Sequence, residues 1–161
     1  MSQPGDAWAP RTHAGTPVPW AWVRLLAVQG ALTRRMDAHL RSGHDLTLRS
    51  YEVLLFLSWA PDRQLRRVEL AGQLLLTQGG VTRLLSGLEA DGLVEAVRSD
   101  ADRRVVYARL TDAGLERLEQ AAATHTADIR SMFTDRFSPD ELATLAELLD
   151  RPGPDRADAD D

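Results

Sequence analysis

The 161-residue chain contains no cysteine and no lysine, so all nineteen basic residues are arginine. Without thiols there can be no disulfide framework, cysteine zinc ribbon, thiol nucleophile or thiol redox sensor. Aromatic residues make up only 6% of the chain. No apolar run approaches the ~18–20 residues of a membrane span. Met1 to Thr16 also lacks the basic, apolar, small-residue order of a signal peptide. A cytoplasmic protein with no membrane partner is therefore expected. The length fits one domain, with a core that hides roughly two-thirds of the surface the unfolded chain would expose.

The net charge is −5, which read as one number argues against nucleic acid. The charge is unevenly spread. Residues 150–161 hold five aspartates and two arginines, a net of −3 that leaves −2 for the remainder. From Arg63 to Arg109 eight arginines stand against six carboxylates, a local +2. GC-rich coding accounts for the choice of arginine, whose planar fork also fits phosphates and base edges.

Prolines and glycines over residues 1–19 read as a mobile arm, and residues 151–161 as a disordered acidic tail. Between them helix signals dominate. Trp22, Leu25, Leu32, Met36 and Leu40 recur at helical spacing over Trp20 to Leu40, and Ser42-Gly43 should end that helix. Thr47 offers an N-cap for Tyr51 to Ala60, a segment apolar on nearly every side and so expected at the centre of the fold. Arg67 to Leu74 makes a short helix. Thr77 caps the next, to about Asp91, with Gly92 just past its end. The β-prone runs Val94 to Arg98 and Arg104 to Leu110 flank a polar tip and predict a hairpin. Thr111 caps a helix to about Phe137, and Ser138-Pro139-Asp140-Glu141 opens the last one as a capping box. The fold class is mainly α: a winged helix-turn-helix over about 48–111, with flanking helices over about 20–42 and 112–150.

The helix from Gln78 has two faces. Val81, Leu84, Leu85 and Leu88 should pack on the preceding helix through Leu70, Leu74 and Leu75. The other face carries Gln78, Gly79, Thr82, Arg83 and Ser86 behind the cap Thr77. These side chains can donate to phosphates or read base edges, and Gly79 and Gly80 leave room for close approach to a duplex. A plain solvated helix face is the alternative. In the hairpin, Arg103 and Arg104 stand where a wing arginine could enter a minor groove, with Asp102 placed to hold the guanidinium in a bidentate pair. The alternative there is a surface turn with casual ion pairs.

Leu65 to Gly114 resembles the multiple-antibiotic-resistance-regulator (MarR) family of winged-helix transcription factors. The resemblance rests on Val68-Glu69-Leu70-Ala71, on Thr77 to Leu84, on Leu88 to Val94, and above all on Asp102-Arg103-Arg104 followed by Leu110-Thr111-Asp112-Ala113-Gly114. Leu46-Thr47 and Tyr51-Glu52-Val53-Leu54 also fit the family's second helix, so the likeness spans roughly residues 20–150. It implies a homodimer whose first and last two helices interlace. Gln78 to Asp91 would lie in a major groove, Arg104 would serve as wing arginine and Asp102 as its clamp. Two such helices one DNA turn apart, ~34–36 Å, imply a pseudo-palindromic operator in double-stranded DNA. The long arm, the acidic tail and the double glycine depart from the family pattern.

The resemblance further implies repression relieved by a small aromatic or anionic effector, held between the dimer helices and the DNA-binding lobe. Trp20, Trp22, His39, His44, Tyr51, Glu52, Phe56 and Trp59 are the candidates for that region, where a histidine could meet an anion; core or dimer packing of the aromatic residues is the competing reading. No metal or cofactor is expected, since His39 and His44 lie five residues apart across Gly43. No phosphate loop, nucleophile elbow or HExxH motif points to an enzyme. The alternative function is a winged helix used for protein–protein contact without specific DNA binding.

Overall fold

The computed structural model describes residues 17–99 and 105–151. In chain order these form α1 (Pro17–His44), α2 (Leu48–Trp59), a 3-10 turn (Pro61–Arg63), β1 (Gln64–Arg66), α3 (Arg67–Leu74), α4 (Gln78–Ala90), β2 (Val94–Arg98), β3 (Val106–Leu110), α5 (Asp112–Thr134) and α6 (Pro139–Leu149). The class is the expected one, mainly helical with a small antiparallel sheet. No helix among the described residues is long and apolar enough to cross a membrane.

The core is built on α2. Val53, Leu54 and Leu57 are fully buried there, packed with Leu70 of α3 and with Val81 and Leu85 of α4. Its N-terminus is capped twice. Thr47 Oγ1 accepts the Ser50 N–H, and Asp37 Oδ1 on α1 accepts the Leu48 N–H at 2.9 Å. Asp37 also accepts from Arg41 Nε at 2.7 Å, and these two bonds hold its carboxyl below the usual carboxylate range.

Several boundaries differ from the sequence expectation. The first helix starts at Pro17 rather than Trp20, because the amides of a first turn have no intrahelical partner and proline loses nothing there. It also runs through Ser42-Gly43 to His44. Asp45 rather than the glycine takes the left-handed conformation, φ 53°. Leu46 then turns inward, buried, with its N–H donating to Leu40 O. Leu75, a core residue by its spacing, is instead the left-handed C-cap of α3 and is 91% exposed. The α5 helix stops at Thr134, three residues before Phe137.

The sheet has a strand that the hydrophobic pattern does not show. β1 pairs antiparallel with β3, Leu65 opposite Ala108, and the order is β1-β3-β2. Three residues are too few to display a period of two.

Candidate nucleic-acid interface

The two helices α3 and α4 are set by their caps. Glu69 receives the Arg66 N–H at 2.7 Å, which keeps its carboxyl below its ordinary value. Leu75 reverses the chain, and Thr77 Oγ1 then receives the Gly80 N–H at the start of α4. Val81, Leu85 and Leu88 are buried on α2 and α3, with Leu84 half-buried beside them. Arg67 Nη2 of α3 lies 3.6 Å from Glu89 Oε1 of α4 and links the pair further. The other face of α4 is presented to solvent: Gln78, Gly79, Thr82, Arg83 and Ser86 are all exposed, as is Thr77 at its head.

That face is less polar than its composition. The Thr82 hydroxyl donates to Gln78 O at 2.9 Å and the Ser86 hydroxyl to Thr82 O at 3.0 Å, so both are turned back on the helix. Arg83 is different. Arg49, Arg63, Arg66, Arg67 and Arg109 each lie against a carboxylate: Glu52, Asp112, Glu69, Glu89 and Glu95 respectively. Among the described residues of this lobe, Arg83 and Arg98 have no such partner. Arg98 ends β2, where the chain enters the wing. Nothing in the sequence singles it out, because its strand position looks structural and only the pairing of its neighbours sets it apart. An uncommitted guanidinium keeps all five donors for an outside acceptor, whether phosphate or base.

The expected wing residues Asp102, Arg103 and Arg104 lie outside the described residues. Their supports are described. β2 and β3 pair from Val94↔Leu110 to Arg98↔Val106, and Ser99 N–H donates to Val105 O beyond the last rung. At the base, Thr111 caps α5 through the Gly114 N–H and donates its hydroxyl to Gly92 O at 2.8 Å.

A family model described as MarR family matches residues 44–105. An HTH-type transcriptional regulator of Bacillus cereus is 32% identical over 129 residues, 80% of this chain and 83% of that one. The chain belongs to the MarR family. It is a transcriptional regulator by that membership, not an enzyme. The HTH-type transcriptional repressor YetL of Bacillus subtilis is 31% identical over 111 residues, 69% of this chain and 66% of that protein. Among solved structures, a mutant of MarR from E. coli complexed with operator DNA superposes with a TM-score of 0.73 at 30% identity, covering 83% of this chain and 94% of that one.

In this MarR-family chain the eight expected effector residues fall into three groups rather than around one cavity. Trp20 and Trp22 lie on the outer half of α1, with Trp22 58% exposed and Arg24 stacked 4.7 Å from the Trp20 ring. His39, His44, Tyr51 and Glu52 lie along the seam where α5 meets α1 and α2. There His39 Nδ1 is 2.6 Å from Asp128 Oδ2, and His44 Nε2 is 3.0 Å from Thr124 Oγ1. Tyr51 is buried with its ring 4.5 Å from that of His125, and burial raises the pKa of its hydroxyl. In the sequence His125 is one polar residue on a long helix, with no signal to mark it. Its Nδ1 is buried without a hydrogen-bond partner, and burial lowers its pKa from 6.5. Phe56 and Trp59 stack edge to face at the far end of α2, beside a cleft of about 210 Å³ that Leu65 and Gln73 help to line. Among the described residues, no group of three or more His, Asp or Glu is placed to hold a metal ion.

Proposed function

We propose that this regulator is a homodimeric, sequence-specific binder of double-stranded DNA that acts as a repressor. The observation that carries the DNA-contact assignment is the pair of uncommitted arginines, Arg83 on α4 and Arg98 at the root of the wing, in a lobe whose other described arginines are paired. On this reading α4 enters a major groove with Gln78, Gly79, Thr82, Arg83 and Ser86 against it, and Thr77 fixes its first turn. Asp102, Arg103 and Arg104 complete the contact from the wing, Arg104 at the minor groove. An operator regulated this way is pseudo-palindromic, with half-sites ~34–36 Å apart.

Apolar surface left uncovered on one chain supports the dimer. Trp22, Leu25, Leu26 and Val28 form an exposed apolar stretch of α1. At the other end an open cleft of about 410 Å³ is lined by Phe137, Leu145 and Leu148 together with Asp140 and Glu141. Monomeric proteins rarely expose such patches, and a second copy would bury them. The repressor assignment follows the likeness to YetL. A small aromatic or anionic effector is proposed to act at the α1–α2–α5 seam, where His39, His44, Tyr51 and Glu52 join the dimer helices to the DNA-binding lobe. The dimerisation region then comprises about 20–42 and 112–150 and the DNA-binding lobe about 48–111.

The test is selection of duplex DNA from a random pool by the full chain, followed by mobility shifts at two salt concentrations. A palindromic consensus bound with steep salt dependence is the expected result. No enrichment over input DNA would refute DNA recognition and leave a protein-binding winged helix. Thermal-shift screening of aromatic acids tests the effector: stabilisation accompanied by DNA release is expected, and neither across the screen would remove it.

A further inference from the structure

The glycines of this chain separate by what a Cβ would meet. Gly92 has a φ of +71°, and a Cβ on Gly114 would lie 2.1 Å from Leu93 O. The fold demands those two. Gly79 is demanded by nothing among the described residues: it stands in the first turn of α4 without a positive φ, and a Cβ there would have no described neighbour within 4 Å. Glycine inside a helix destabilises it relative to alanine, so the chain forgoes stability at Gly79 with no packing gain.

Its position on α4 is specific. At 3.6 residues per turn, Gly79, Ser86 and Ala90 fall within about 20° of one line, opposite the buried Val81, Leu85 and Leu88. Arg83 stands about 40° from that line, one turn after Gly79. Along that line no side chain is larger than serine, and the hydroxyls of Thr82 and Ser86 are bound to the helix's own carbonyls. The long cationic side chain on this face is Arg83, which has no partner among the described residues.

We infer that Gly79 is a positioning residue for Arg83: its missing side chain lets the first turn of α4 seat against the groove, which brings the guanidinium to a base edge. The inference rests on the reading of α4 as the DNA-contacting helix. One methyl group adds about 1.5 Å at the point of approach. A hydrogen bond holds only over 2.7–3.2 Å or so, and breaking a bidentate arginine–guanine pair in this way weakens binding roughly tenfold to a hundredfold.

The experiment uses the full chain and the duplex it selects from a random pool, with affinity and thermal midpoint measured on each variant. Gly79→Ala is expected to raise the midpoint by about 1–4 °C, as a helix-favouring change should, while affinity falls at least tenfold. Gly43→Ala, at a glycine whose Cβ also meets nothing within 4 Å but lies near the end of α1, is expected to leave affinity unchanged. Arg83→Ala is expected to lose as much affinity as Gly79→Ala, and the double variant no more than either, because the two act on one interaction. Wild-type affinity in Gly79→Ala beside a weakened Arg83→Ala would overturn the role of Gly79 and leave the α4 face standing. Wild-type affinity in Arg83→Ala would overturn the α4 face itself. Additive losses in the double variant, or a lowered midpoint in Gly79→Ala, would also overturn the inference.

Discussion

Gly114→Ala is expected to destabilise the fold by about 3 kcal/mol. The glycine lies in the first turn of α5, where a Cβ would stand 2.1 Å from Leu93 O and 2.7 Å from Leu110 Cδ1. Ordinary contact begins near 3.4 Å, so the helix and the loop before β2 must part by about 1.3 Å. Two hydrogen bonds span that gap: Thr111 N–H to Leu93 O at 3.2 Å and the Thr111 hydroxyl to Gly92 O at 2.8 Å. Each is worth about 1 kcal/mol. Forced repacking adds ~1–3 kcal/mol, and better helix propensity returns about 0.9 kcal/mol. Urea unfolding of the full chain, at fixed protomer concentration because the stability of the proposed dimer would depend on it, measures the change. Gly72→Ala is the companion, since a Cβ there meets nothing within 4 Å, and no loss is expected. A Gly114→Ala protein within about 0.5 kcal/mol of wild type would refute the reasoning, since it would show that the junction yields at little cost.

Three further outcomes are expected. Thr77→Ala should cost ~1 kcal/mol by removing the acceptor for the Gly80 N–H, and Thr77→Ser should restore it; equal urea midpoints for all three proteins would contradict the cap. His125 should make stability depend on pH: burial lowers its folded pKa from 6.5, so both states are neutral above 6.5. Below that the unfolded chain takes the proton first, and stability falls until the folded pKa is passed. His125→Phe should flatten unfolding midpoints over that window, and an unchanged slope would refute the assignment. Trp22→Arg, which places charge in the exposed stretch of α1, should shift sedimentation toward monomer, and an unaltered dimer would remove this stretch from the interface.

Much of this is legible in the sequence because it is local. Thr47, Thr77, Thr111 and Ser138 each cap the helix they precede, since a cap is read within four residues. The core of α2 is legible from its all-round apolar pattern. Features depending on distant residues are hidden. β1 exists because Leu65 meets Ala108 across 43 positions. Asp37 caps α2 from another helix, and His125 is set apart only by the ring of Tyr51 and by burial. The site divides the same way. The α4 face follows from helical periodicity, whereas Arg98 becomes notable only once the other arginines are seen to be paired. The expected effector residues are marked out by side-chain chemistry alone, and the helices carrying them put them in three places.

The shortest strand has the widest consequence. β1 leads directly into α3, and its partner β3 ends two residues before α5 begins. The antiparallel rungs from Gln64↔Arg109 to Arg66↔Tyr107 therefore fasten the front of the helix-turn-helix to the rear strand of the wing. Swinging α4 away from the wing would mean tearing those rungs, so α4 and the hairpin travel as one plate, and the bonds from Thr111 to Leu93 and Gly92 lock the start of α5 to that plate as well. On the proposed dimeric, DNA-binding reading, a change carried by α5 would therefore turn the whole plate. In that dimer a small turn would become a change in the distance between the two plates, and DNA, whose groove repeat is fixed, would either match that distance or not.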